Sequence, residues 1–592
     1  MPTQLITNYF RLHNVKQFKE SISEVANSVY YVFTAKSTPY PLGDENIPNI
    51  ENTENNILYN PYSEMLFGKR VGASDLATAT KRYNWTPNTV YTAYRNDQSL
   101  VNQPFYACVN NGSSYNVFKC LDNNGGLPST IPPDATQTSP NDEYYSTSDG
   151  YVWKYMYNVD STTFNKFATV DFIPVSANAA VVGNAVSGAI EVITVSSRGS
   201  NYNTFLSNSF ISTDLRVGGS SLIYNIANNA TASSGFYIGS FIYLQTGPGS
   251  GEGRKIVDYV VTGTTKSITI SSAFNTPPTT ATTYEITPGV SIVGDGSNAI
   301  ARAIVNTAAS NSIVKIEILN RGKNYSYAYA TVTGNTGGVS NNAVIVPILG
   351  PKGGHGYDPE HELNATGVCI SVSFANSETG TIPVANDYRQ IGILRDPLFA
   401  NVVITTTGIT GAFQVGEIVT QANTGTTATV ASWDNISTLQ LTNVNGIMLA
   451  GNTSVNYLTG ATSGTTSSVA SYQVNGEVKN FNTFDQRHKF TYTAVSGGTF
   501  DQDEVIYQTT MSQANAFFHS NTNTTLYLTS VKGTLNTGEL IVGNKTGATA
   551  NLLYYLPPDL VVGSGEVIYI ENILPITRAN NQTETTKFVL QF

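Results

Sequence analysis

The chain has 592 residues, of which 12% are charged, and it carries a formal net charge of −10. A chain this long exceeds one ordinary core and implies about three to five modules of ~100–200 residues. Its diffuse acidic balance argues against a surface built to neutralise nucleic-acid phosphates. Nowhere do ~18 consecutive apolar residues occur, and the first residues lack a signal-type apolar run, so a soluble, unprocessed chain with no membrane insertion is expected. Three cysteines, Cys108, Cys120 and Cys369, are too few for a disulfide framework and suit folding in a reducing cytoplasm.

Abundant Gly, Tyr, Thr, Ser and Asn favour strands and tight turns, hence a mainly β chain. Val15, Phe18, Ile22 and Val25 recur at helical spacing and predict a helix over 15–28 with Asn14 as its N-cap. The run Val29-Tyr-Tyr-Val-Phe-Thr34 reads as a core strand closed by the Thr38-Pro-Tyr-Pro41 turn, and a second helix is expected within 62–82, around Met65, Leu66, Leu76 and Ala79. From residue 86 onward short apolar runs between Gly, Pro and Asn read as strands, among them Tyr115–Leu121 and Tyr151–Tyr157. Residues 122–149 lack periodicity and read as a long surface loop.

Two internal repeats follow. Arg198-Gly-Ser-Asn-Tyr202 returns as Arg321-Gly-Lys-Asn-Tyr325, 123 positions on, and Ile190, Ile193 and Val195 return as Ile313, Ile316 and Ile318. Further along, Phe413, Glu417, Gln421, Leu439, Leu441, Gly451 and Gly460-Ala-Thr462 recur 87 positions later as Phe500, Glu504, Gln508, Leu526, Leu528, Gly538 and Gly547-Ala-Thr549. Two copies are too few for a solenoid, so duplicated small β-modules are expected.

Outside the repeats lie Phe33-Thr34 with Ser37-Thr-Pro39, Arg82-Tyr-Asn-Trp85, Cys120-Leu-Asp122 and Asp149-Gly-Tyr-Val-Trp153. Further on come Tyr388-Arg-Gln-Ile391 with Asp396-Pro-Leu398, and Gly565-Glu-Val-Ile-Tyr-Ile-Glu-Asn572 followed by Pro575, Gln582-Thr-Glu584 and Phe592. Taken collinearly, these stretches resemble the gene-eight baseplate wedge proteins of T-even-type contractile-tailed phages. The resemblance implies a β-sandwich-like framework with two short helices near the N-terminus. That framework would comprise 1–175, a return strand in 366–401 and C-terminal strands in 556–592. Inserted β-domains would occupy 176–365, with the RGxNY repeat, and 402–555, with the tandem 87-residue modules. It further implies a non-enzymatic structural subunit of the virion's tail baseplate, assembled in the bacterial host cytoplasm. Its partners would be other wedge proteins and a second copy of itself within a wedge. Two other classes compete: a receptor- or glycan-binding tail protein, suggested by the Thr/Gly-rich β-modules, and a tail-associated glycoside hydrolase, which would need paired carboxylates in a cleft.

The densest chemical cluster is His355, Asp358, His361 and Glu362, after the turn Gly350-Pro-Lys-Gly-Gly354. Two imidazoles and two carboxylates are candidate metal ligands. A Gly/Pro-rich loop does not fix them on one face as an HExxH helix would, so a solvated or interface loop with no metal is expected. The same turn lacks the GxxxxGK[ST] spacing of a phosphate loop. Asp501, Asp503 and Glu504 lack the Ca²⁺-loop pattern and read as turn residues. His13, His488 and His519 sit in no nucleophile motif, and no cofactor or catalytic residue is expected. Arg198 and Arg321 head Gly turns and offer contacts to an acidic partner, but the packing of Tyr202 and Tyr325 beneath those turns is the favoured expectation.

Overall fold

The computed structural model describes every residue except 1–5, 24–27, 134–143, 203, 211, 218–219, 335–340, 376–386, 399–401, 446–447, 474–482, 510–512, 524, 557 and 580. The chain is mainly β, as its composition leads one to expect, and folds as several sheets and small barrels. Two compact units emerge. The first takes Met1–Val15, Ala77–Cys369 and Val589–Phe592; the second takes Lys16–Leu76 and Ile370–Phe588. The chain therefore changes unit at 15/16 and again at 76/77, and residues 77–175 group with 176–369.

The N-terminal helix runs Asn8–Ser23, beginning before the predicted start. Thr7, whose Oγ1 accepts a hydrogen bond from Phe10 N at 3.3 Å, caps it in place of Asn14. The predicted end, 24–27, lies outside the described residues. The second helical stretch is displaced from 62–82 to Asn55–Tyr59 and Asn60–Glu64, while Met65–Arg70 and Leu76–Lys81 are strands. Met65 to Gly68 are buried in succession because their strand is interior to its sheet. Such a strand shows no alternation and passes for a helix in sequence.

In the second unit, a five-stranded sheet runs in the order Thr483–Asp485, Met65–Arg70, Tyr30–Ala35, Asp387–Arg395, Glu566–Thr577. N-terminal, central and C-terminal segments are thus direct neighbours. Phe33 faces Gly392, where an added Cβ would stand 2.4 Å from the Phe33 ring. The Gln390 amide donates to Asn572 Oδ1 at 2.8 Å, Asp396 accepts from Val29 N at 2.7 Å, and Arg389 grips Asp44 through two 2.7 Å contacts. Tyr31, Phe33, Leu394 and Phe484 form the core beneath, each buried side chain contributing about 1.5–3 kcal/mol.

The same unit holds two closed six-stranded barrels, 402–473 and 488–556, with the same strand order and separate cores. Glu417 and Glu504 hold matching positions. Glu417 accepts from the Gln414, Thr462 and Ser463 amides, and Glu504 from those of Asp501, Lys545 and Thr546. Thr462 therefore corresponds to Lys545, 83 positions on, and Val419 pairs with Gly460 as Ile506 pairs with Gly543. The constant 87-position offset fails after Gly451/Gly538: the second copy is four residues shorter there, and the matched Gly-Ala-Thr triplets are not equivalent.

In the first unit, Tyr106–Asn110, Ser114–Asn123, Tyr151–Asp160 and Tyr145–Ser146 form a sheet covered on both faces by aromatic side chains. Trp153 is fully buried between the rings of Tyr91 and Tyr151. In the expected loop 122–149, residues 134–143 lie outside the described set; Asp149 anchors the rest by accepting from Thr130 N, Ile131 N and Ser129 Oγ. Between the two RGxNY copies lies a separate seven-stranded sheet around Tyr224, Tyr237, Tyr259 and Tyr284. The copies themselves embrace reciprocally. Asn201 N donates to Ser310 O and Asn324 N to Ser187 O; Tyr202 N donates to Asn311 O and Tyr325 N to Gly188 O. These partners are all 123 positions apart, as a local two-fold requires. Tyr202 and Tyr325 are buried beneath, in one shared core.

Candidate functional site

A solvated or interface loop is the expectation for His355–Glu362, and the two residues that bound it are instead buried within the chain. The turn is tight: Gly353, Gly354 and Gly356 have φ of 89°, 98° and 89°, and a Cβ on Gly354 would stand 2.6 Å from the Val186 backbone. The intervening His355 is thereby driven inward and buried. Asp358 then starts a single helical turn, Pro359–Glu362, by accepting from His361 N at 3.0 Å, and this turn carries Glu362 into the same interior.

What waits there is Lys119, in the apolar run Val117-Phe-Lys-Cys-Leu121 of a strand whose two faces are both covered. Its Nζ lies 2.9 Å from Glu362 Oε2 and 3.0 Å from His355 Nδ1, and 3.9 Å from the centre of the Tyr94 ring. The other carboxylate oxygen, Glu362 Oε1, accepts from the Gly356 and Asp358 amides at 2.8 and 3.3 Å. Behind the imidazole, His355 Nε2 is 3.8 Å from Glu191 Oε2, and Glu191 Oε1 is 3.0 Å from Arg321 Nη1. Burial pulls the Lys119 amine down from its usual range, against the pull of Glu362. Burial alone would raise the Glu362 carboxyl, but Lys119 and His355 outweigh it and hold it at about 2. Burial and the neighbouring Lys119 charge lower His355, so its imidazole is neutral near pH 7.

The four candidate metal ligands therefore separate. His355 and Glu362 meet on a lysine ammonium; Asp358 is spent on a helix cap, and His361 stacks on Tyr9 with ring centres 3.8 Å apart. Among the described residues no group of three or more His, Cys, Asp or Glu side chains is arranged to hold a metal ion. Lys119 and Glu191, the members that sequence reasoning passed over, each carry one signal: a charge inside an otherwise apolar strand. Arg321 pairs with Glu191, whereas Arg198 is exposed.

The remaining candidates do not converge on a site. Asp501 pairs with Lys545 at 2.6 Å, Glu504 is committed to the cradle described above, and Asp503 faces Ser37 and Arg389. His13 is exposed; the His488 ring meets Tyr555 Oη at 2.9 Å, and His519 Nδ1 meets Ser520 Oγ at 2.9 Å. Cys108, Cys120 and Cys369 are buried thiols, and burial pushes Cys108 up to about 12. A cleft of about 620 Å³ opens beside Arg11, Lys81, Tyr83 and Tyr106, lined by amide, hydroxyl and aromatic groups. Compared with family models and with curated proteins, the chain matches none.

Proposed function

We propose that this chain is a structural subunit of a contractile phage tail, built into the baseplate wedge. It would be held there by other wedge proteins and by a second copy of itself. One observation carries the reading: three of the segments that separately resemble the wedge family are adjacent strands of one sheet. The Phe33 strand, the Tyr388-Arg-Gln-Ile391 strand and the Gly565–Asn572 strand touch through the residues that make up the resemblance, including Phe33 against Gly392 and Gln390 against Asn572. Both barrels and both RGxNY copies lie outside this sheet, to which the 402–555 segment adds only the edge strand Thr483–Asp485 between the barrels. The role is mechanical. Rigid β-bodies with buried polar ties transmit a rearrangement of their neighbours as rigid-body movement, and the reading assigns no catalytic step.

Reconstruction of intact tails from the phage that encodes this chain is the test. Density for it at each wedge of the baseplate is the expected result. Density confined to fibre tips, together with saturable binding of the purified protein to host cells, would instead establish the adhesin reading.

A further inference from the structure

We propose that Lys119 and Glu362 become joined by an intramolecular amide bond, formed by the fold itself without an enzyme. This inference is independent of the baseplate reading. Its basis is that the buried cluster supplies every group an amide condensation needs. The nucleophile is Lys119 Nζ, 2.9 Å from the acid oxygen that must leave. The ion pair is the resting state; proton transfer across that contact converts ammonium and carboxylate into amine and carboxylic acid, a change that costs less in a buried site than in water because it removes two buried charges.

The amine then adds to Glu362 Cδ, and negative charge develops on Oε1. That oxygen is already met by the Gly356 and Asp358 amides at 2.8 and 3.3 Å, the arrangement of an oxyanion hole. His355 Nδ1 lies 3.0 Å from Lys119 Nζ and 3.7 Å from Glu362 Oε2, so one nitrogen can take the proton from the amine and return it to the departing hydroxyl. Glu191 Oε2, buried and without a hydrogen-bond partner, stands 3.8 Å from the opposite ring nitrogen, where it offsets the transient imidazolium charge. A C–N bond forms, the C–O bond to Oε2 breaks, and one water leaves. Oxidation states are unchanged and no co-reactant is required.

The product links a strand to a helical turn 243 positions away and encloses both RGxNY copies within one covalent loop. The intact mass of the purified full-length protein tests the inference without any substitution. The expected result is a mass lower than the sequence mass by one water. Tryptic digestion should leave Lys119 uncleaved, within a branched peptide whose fragmentation places the link at Glu362. Lys119→Arg, which keeps a cation but cannot condense, should restore the sequence mass. Glu191→Gln leaves both reacting groups in place and should slow linkage by ~10-fold or more, read as unlinked protein soon after synthesis. Protein aged for weeks that still shows the sequence mass, with Lys119 and Glu362 recovered in separate peptides, would overturn the proposal.

Discussion

Asp503 and His488, both in the second barrel's segment, set opposing pH dependences. Burial, reinforced by Asp387 and opposed by Ser37 and Arg389, raises Asp503 to about 6. A folded pKa above the unfolded value means its contribution is fully present below about pH 4 and is lost as pH rises through 6. Asp503→Asn keeps a residue tolerant of the φ of 60° found there. With solvent screening allowed for, it should gain about 1 kcal/mol near pH 8 and nothing below pH 4, as chemical denaturation at the two pH values would report. His488 is lowered by burial to about 4. Its contribution is present above the unfolded pKa of about 6.5 and is lost as pH falls through 4. Acid sensitivity in this window should therefore persist in the Asp503→Asn protein. The cradled carboxylates are a separate case. Glu504→Ala would strand the Asp501, Lys545 and Thr546 amides and is expected to cost about 2–4 kcal/mol. Glu417→Ala should cost the first barrel a similar amount.

At the scale of elements, close approach decides more than propensity. Gly392 lies mid-strand beneath the Phe33 ring, so Gly392→Ala should cost about 1–3 kcal/mol by overpacking, although alanine suits a strand at least as well as glycine. A lowered denaturation midpoint with an unchanged slope is the expected readout. Such contacts also explain what could be read in advance. Val29–Thr34 was legible as a strand because β-branched and aromatic residues end at a Pro turn. Met65–Arg70 was misread as helix because an interior strand is apolar on both faces and its three-to-four spacings are accidental. Repeats exposed both barrels, yet register after Gly451 was hidden: a four-residue deletion followed by a chance Gly-Ala-Thr match imitates an unbroken offset. Only the Glu417 and Glu504 carboxylates, each tied to a particular pair of amides, reveal the true correspondence. At the candidate site, sequence supplied His355 and Glu362 as neighbours in one loop. Their partners Lys119, Glu191 and Arg321 come from strands far away in sequence, and the one local signal, a charge inside an otherwise apolar strand at Lys119 and Glu191, does not tell which loop that charge meets.

For the whole molecule, the division into two units has an energetic consequence. Each has its own cores: Tyr31, Phe33 and Phe484 in one, Trp153, Tyr157 and the paired Tyr202 and Tyr325 in the other. A chain with several cores need not unfold in one step, and a substitution acts first on the transition of the unit whose core it disturbs. Arg321→Met leaves Glu191 buried beside a neutral imidazole and without its guanidinium, which should cost about 3 kcal/mol. Gly392→Ala disturbs only the five-stranded sheet. Scanning calorimetry is expected to resolve at least two transitions, with Arg321→Met lowering one and Gly392→Ala another. A single transition moved equally by both would mean that the units melt as one cooperative body. Under the baseplate proposal the two outcomes differ in consequence, since a subunit with independently stable parts can yield in one part while the other keeps its shape, and a single cooperative block cannot.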